Sequence, residues 1–307
     1  MTLVSLLNRM PGDVAIGIIW GIMALGVYLT FRILNFADLT VDGSFATGGA
    51  VCVVLITSGV PYPVAMAAAF AAGLAAGLCT GLLHTLLGIP DILSGILMQL
   101  ALYSVNIFLL GGANKSIGVG KYSLCVSMLA VSISIVMEII IAAVIIGVMY
   151  WYFGTAQGSA IRATGNNPAM SRAQGINIGL MKVIALALSN GMVALAGSLM
   201  AQLNGFTDVG MGRGAIVIGL AAVIIGEVAC HTLFRKRTNF MLRLVFVIIG
   251  GVIYYMVMGF ISWLRVPTDG LKLFTALIVA AFLAVPYLKG KASSSFRKAG
   301  RRGADDL

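Results

Sequence analysis

Nine predominantly apolar segments, separated by short polar loops, leave this chain little choice but to cross a bilayer repeatedly. They run roughly over Val14–Leu34, Gly43–Ser58, Pro63–Leu83, Ile92–Leu110, Ser127–Phe153, Val183–Leu203, Gly214–Cys230, Met241–Ile261 and Lys272–Leu288. A spanning helix needs about 20 apolar residues. In lipid the backbone must satisfy its own hydrogen bonds, which leaves helices or closed barrels, and runs of this length read as helices. The second and seventh segments are short for a span and are interrupted by glycine. Such segments point to broken or re-entrant helices beside a cavity. The expected fold class is an all-α polytopic membrane protein with about eight to ten transmembrane helices, some of them broken or re-entrant.

Composition agrees. Of 307 residues, 60% are hydrophobic and 10% charged, against about 25% charged in a soluble domain. The net charge of +10 does not point to nucleic acid, because the basic residues sit in short loops and a tail, as the positive-inside bias demands. The stretch Ala160–Ile184 carries Arg162, Arg172 and Lys182 and no acid. The loop HTLFRKRTNFMLR carries Arg235, Lys236, Arg237 and Arg243, and the tail is KGKASSSFRKAGRR. With nine spans all three fall on one side, which is then cytoplasmic, and the N-terminus lies outside. The chain divides into an N-terminal segment 1–13, a membrane domain 14–288 with the polar segment 160–184 inside it, and a disordered basic tail 289–307 resting on anionic headgroups. No cleavable signal is expected from MTLVSLLNRMPGD.

Several chemistries lack their residues. Cys52, Cys79, Cys125 and Cys230 are scattered without a CxxC, and His84 and His231 stand alone, so no metal site is expected. No Walker A loop and no nucleophile elbow occurs. The chain is expected to be no enzyme and to bind no cofactor of its own.

Polar groups at membrane depth are the informative ones. In ILNFADLTVDGSFATGG, Asn35, Asp38, Thr40, Asp42 and Ser44 lie between two spans. Asp38 and Asp42 have three open roles: capping the next helix, pairing with Arg32, or lining a path. In QLNGFTDVGMGRGA, Asn204, Thr207, Asp208 and Arg213 fall on the outer side. Asp208 and Arg213 suit either a local ion pair or the two charges of a zwitterionic solute. Glu227 is expected to pair with the basic loop that begins at Arg235, and Glu138 has no evident partner. The many glycines, as in Ala71–Gly77 and Ala194–Gly197, read as close helix packing.

Two blocks carry a family resemblance. Ala24–Ala50, ALGVYLTFRILNFADLTVDGSFATGGA, resembles the first block of permeases of the branched-chain amino acid ABC importers. Ile161–Phe206, followed by GRGAIVIGLAAVIIGE, resembles their second block. It matches through Arg162, Ala163, Gly165, Asn167, Pro168, Ala173, Gly175, Ile176 and Asn177, then Ser189, Ala194, Ala196 and Gly197, with Asn190 where the family usually has Gly. The LNFADLTVDGSF form resembles a subgroup served by periplasmic or lipoprotein binding proteins, some with tryptophan or other aromatic amino acids as proposed solutes.

The resemblance implies a type II-like ABC importer permease in the plasma (inner) membrane of a bacterial-type cell, with a cytoplasmic C-terminus. It implies a second permease copy as a homodimer, cytoplasmic ATPase subunits that hold ATP and Mg, and an external substrate-binding protein or lipoprotein. Arg162, Gly165, Asn167, Pro168, Met170, Arg172, Ala173, Gly175, Ile176 and Asn177 would form the coupling element. Asn167-Pro168 is suited to start a short helix, and Met170, Ala173 and Ile176 recur at a spacing of three. The pathway candidates are Asn35, Asp38, Thr40, Asp42, Asn204 and Asp208. A sugar or nucleoside permease, or an ion-coupled secondary transporter with acids mirrored in two repeats, are the alternatives to an amino acid importer.

Overall fold

A computed structural model of the chain describes residues 3–234 and 239–263, with positions 273, 274, 276, 277, 279 and 280. The tail 289–307, loop residues Arg235, Lys236 and Arg237, and most of the expected ninth segment lie outside the described residues. Within them, eight helices are long and apolar enough to cross a membrane, and they coincide with the first eight expected segments.

Helix α1 (Leu3–Tyr28) runs into a π-helical turn, Leu29–Ile33. It is followed by α2 (Thr40–Thr57), α3 (Tyr62–Thr85) and α4 (Asp91–Leu110). A short strand β1 (Asn114–Ser116) precedes α5 (Val131–Gly154), and two small helices follow, α6 (Ala156–Asn166) and α7 (Pro168–Ala173). Then come α8 (Ile178–Asn204), β2 (Phe206–Asp208), α9 (Ala215–Leu233) and α10 (Phe240–Trp263). Strands β1 and β2 pair antiparallel, with Lys115 opposite Thr207.

Without a hydrophobic force between helices in lipid, close backbone approach is what holds a bundle together. Glycine provides it here. On α3, Gly73, Gly77 and Gly81 share one face and lie directly on α8; a Cβ at Gly73 would strike the Asn190 carbonyl, and one at Gly77 the Leu186 carbonyl. Helices α2 and α8 cross reciprocally, Gly48 on the Ala194 carbonyl and Gly197 on the Phe45 carbonyl. The centre of the bundle is α1, α2 and α8, whereas α4 and α5 are largely exposed on the outside of the single chain.

One end of the bundle gathers the end of the first span, α6, α7, and the starts of α8 and α10. Lys182 Nζ lies 2.9 Å from His84 Nε2 there, and Arg32 pairs with Glu227 at 2.8 Å. Glu227, expected to pair with the loop that begins at Arg235, whose residues 235–238 lie outside the described residues, pairs here with Arg32, which closes the first span at the same level as the end of α9. At the opposite end lie β1, β2 and the Arg9–Asp13 pair. Glu138 is fully buried in α5, with neither oxygen hydrogen-bonded among the described residues.

The two short spans, α2 and α9, each begin at a break. The first break is 34–39. The second is 205–214, and it re-enters the bundle: Thr207 lies against Gly49 of α2, and Gly212 lies against the Asp42 carbonyl. From Gly49 to Asp42 is about 10 Å along the helix axis. Arg213 therefore lies deeper than the end of the bundle, exposed on its flank, because the chain after β2 descends along α2 before α9 can start.

Candidate functional site: a coupling segment, a buried latch and a polar cleft

The segment between α5 and α8 is built by its polar residues. Thr155 starts α6 by accepting from Gly158 N. Asn167 starts α7, its Oδ1 accepting from Met170 N at 3.0 Å, with Pro168 in the first helical position, where no N–H is missed. Gly175 turns the chain with φ of 79°, in the left-handed region where only glycine sits without penalty. Asn177 then starts α8, accepting from Leu180 N.

Ile161, Thr164 and Ser171 face the bundle and are buried. Ile176 also turns inward and packs on the inner core, so it does not share the outer face expected from its spacing with Met170 and Ala173. That outer face consists of Asn166, Ala169, Met170, Arg172 and Ala173, with Met170 60% exposed. Arg162 serves the bundle: its Nη2 donates to the Phe153 carbonyl at 2.6 Å, and its guanidinium covers the Phe240 ring. Gly165 abuts Ile33 and Leu34, leaving no room for a Cβ. A cavity of about 730 Å³ opens at this junction, lined by Arg32, Asn35, Arg162, Asn166 and Arg243 among others. Asn35 has a positive φ of 55°, which asparagine tolerates better than most residues.

The first break ends in a buried latch. Asp38 Oδ1 accepts from Thr40 N at 2.9 Å, and Asp38 Oδ2 accepts from Asn190 Nδ2 at 2.7 Å. Ser44 donates to Asn190 Oδ1 at 2.6 Å, and the Thr40 and Thr80 hydroxyls are 2.8 Å apart. These side chains tie α2, α3 and α8 together at the start of α2. Asn190 supplies both a donor and an acceptor.

Asp42 caps a different helix. Its carboxylate accepts from Gly214 N at 2.9 Å and Ile216 N at 3.0 Å, holding the N-terminus of α9, where a negative charge also meets the helix dipole. Neither acid pairs with Arg32. Asp42→Ala is expected to cost about 1–2 kcal/mol, the usual range for a lost cap, read as a lower melting temperature in detergent.

Beside Asp42 lies a cleft of about 250 Å³ between α2, α4 and the re-entrant 205–214 segment. Gln99, Tyr103 and Asn106 line it from α4, and Arg213 from the break. The Arg213 guanidinium lies 5.8 Å from the Tyr103 ring centroid. Asp208 accepts from Gly210 N at 2.6 Å and, among the described residues, forms no ion pair with Arg213. Asn204 ends α8, half-buried. The sequence reading passed over Gln99, Tyr103 and Asn106, although their spacing of four and three puts them on one helical face.

The family model described as branched-chain amino acid transport system / permease component matches residues 14–286. A tyrosine transport system permease protein of Clostridioides difficile (strain R20291) is 37% identical over 273 residues, covering 87% of this chain and 88% of that protein. An uncharacterized protein of Rickettsia prowazekii (strain Madrid E) is 31% identical over 268 residues, covering 87% of this chain and 93% of the relative. No solved structure matches the chain at a significant level.

Proposed function

This chain belongs to the family of branched-chain amino acid transport system permease components, and on that premise we propose that it forms the solute pathway of an importer driven by a separate ATPase. The solute is an amino acid, and an aromatic one is favoured by the relative that is a tyrosine permease. ATP and Mg²⁺ are held by the ATPase. A second copy of this chain completes the pathway, and an external binding protein delivers solute at the β1–β2 end. The α6–α7 end and the C-terminal tail face the cytoplasm.

The observation that carries this reading is the shape of the α6–α7 segment. Its outer face offers Met170 and Ala173 with Arg172 beside them, an apolar knob with a cation, suited to an apolar cleft with an acidic rim on a partner. Its inner face is jammed against the end of the first span through Gly165. Packed groups transmit displacement because interiors are close-packed. A push on Met170 therefore reaches Ile33, then the 34–39 break, then the Asp38–Asn190 latch at the start of α2. Reorienting α2 against α8 changes which side of the bundle has access.

The test is the double variant Met170→Asp, Arg172→Glu. Both side chains are exposed, so the bundle should keep its melting temperature. Transport-coupled ATPase activity and amino acid uptake should fall together, by tenfold or more. Full uptake with this face reversed in character would remove the coupling assignment.

A further inference from the structure

We infer that the cleft between α4 and the re-entrant segment is where the permease itself engages its solute, with Arg213 receiving the carboxylate of a zwitterionic amino acid and Asn106, with Gln99, receiving its ammonium group. This inference rests on the importer reading above.

Depth is the first argument. Tyr103 sits about 18 Å from the inner end of α4 and about 10 Å from its outer end by helix rise, and Arg213 lies over its ring. An arginine near the middle of a span does not face hydrocarbon; it faces protein, water or a ligand. Yet Arg213 is exposed on the surface of the single chain, without a carboxylate partner among the described residues. Asp42, beside it, has its oxygens engaged by the N-terminus of α9. Among the described residues the cation is thus left without an acid, in a face that a second copy or a water-filled path would cover.

Asn106 is the second argument. It is 1% exposed, it lines the same cleft, and among the described residues neither its Oδ1 nor its Nδ2 has a partner. A buried amide with both ends unpaired is costly and needs an explanation. A ligand ammonium donating to Oδ1 is one that fits. Arginine is the side chain shaped for a carboxylate, two parallel N–H groups against two oxygens. The exposed Tyr103 ring gives the solute's apolar part a surface to lie on. Among the described residues that line the cleft the one carboxylate, Asp42, has both oxygens engaged, so the site holds the zwitterion weakly, as a pathway that must release its cargo requires.

The experiment uses the full complex of permease, its ATPase and its binding protein in proteoliposomes, with L-tyrosine as probe. The complex without binding protein, in nanodiscs, is then challenged with L-tyrosine and with tyramine, which lacks the carboxylate. Wild type should bind tyrosine at least tenfold better than tyramine. In Arg213→Gln that ratio should fall towards one, and uptake should drop at least tenfold. Asn106→Leu removes an unpaired buried amide, so its melting temperature should hold or rise while uptake falls severalfold; a merely structural asparagine would not separate the two. Arg213→Gln that transports and discriminates like wild type overturns the site and leaves the importer standing. Wild-type complex that hydrolyses ATP but imports no amino acid overturns both.

Discussion

Gly165→Val is expected to abolish ATPase-driven uptake while the complex still assembles. The glycine touches the Ile33 carbonyl and Leu34 Cα so closely that any Cβ must displace backbone. Overpacking of this kind costs about 1–3 kcal/mol, less than would unfold a bundle held by many glycine crossings. It forces α6 away from the end of the first span, which in the proposed coupling route carries motion inward. Uptake should fall at least tenfold, with Gly165→Ala intermediate. Gly147 on α5 is the control, because a Cβ there meets nothing within 4 Å; Gly147→Ala should transport normally. The paired measurement is uptake against ATPase rate: hydrolysis that persists without uptake marks a broken transmission rather than a lost docking face.

Asp38→Ala is expected to have the largest effect on stability. It strips the acceptor from Thr40 N and from Asn190 Nδ2, both buried. The orphaned Thr40 N costs roughly 1–3 kcal/mol; Asn190 Nδ2 keeps only its bond to the Leu186 carbonyl, and Ser44, bonded to the other end of Asn190, loses a positioned partner. The melting temperature should fall by more than for Asp42→Ala. Because Asp38 and Asn190 act as one unit, Asp38→Ala with Asn190→Gly should cost less than the sum of the two. Strict additivity would mean that the latch is not a unit.

Much of this was legible in the residues. Apolar runs of span length announced eight of the helices, and shortness with glycine announced the breaks before α2 and α9. Asn167-Pro168, Gly175 and Asn177 are local devices whose chemistry is fixed by their own neighbours, so the turn and caps of the α6–α7 segment could be read directly. Asp42 could not, because it caps a helix 172 positions further along the chain, and such a partnership leaves no local spacing. The Arg32–Glu227 pair was hidden for the same reason: the two are 195 positions apart. The depth of Arg213 could not be read, because re-entry is decided by packing on α2 rather than by hydropathy. Ile176 fitted a three-residue spacing that crosses the Gly175 reversal, where helical spacing no longer applies.

The central claim is that an amino acid crosses this chain at the expense of ATP hydrolysed by a partner. The direct measurement is L-tyrosine accumulation in proteoliposomes holding the permease, its ATPase and its binding protein, with and without ATP. The account predicts accumulation that requires ATP and the binding protein and is lost in Met170→Asp, Arg172→Glu. Accumulation by the permease alone, driven by a proton or sodium gradient, would contradict it.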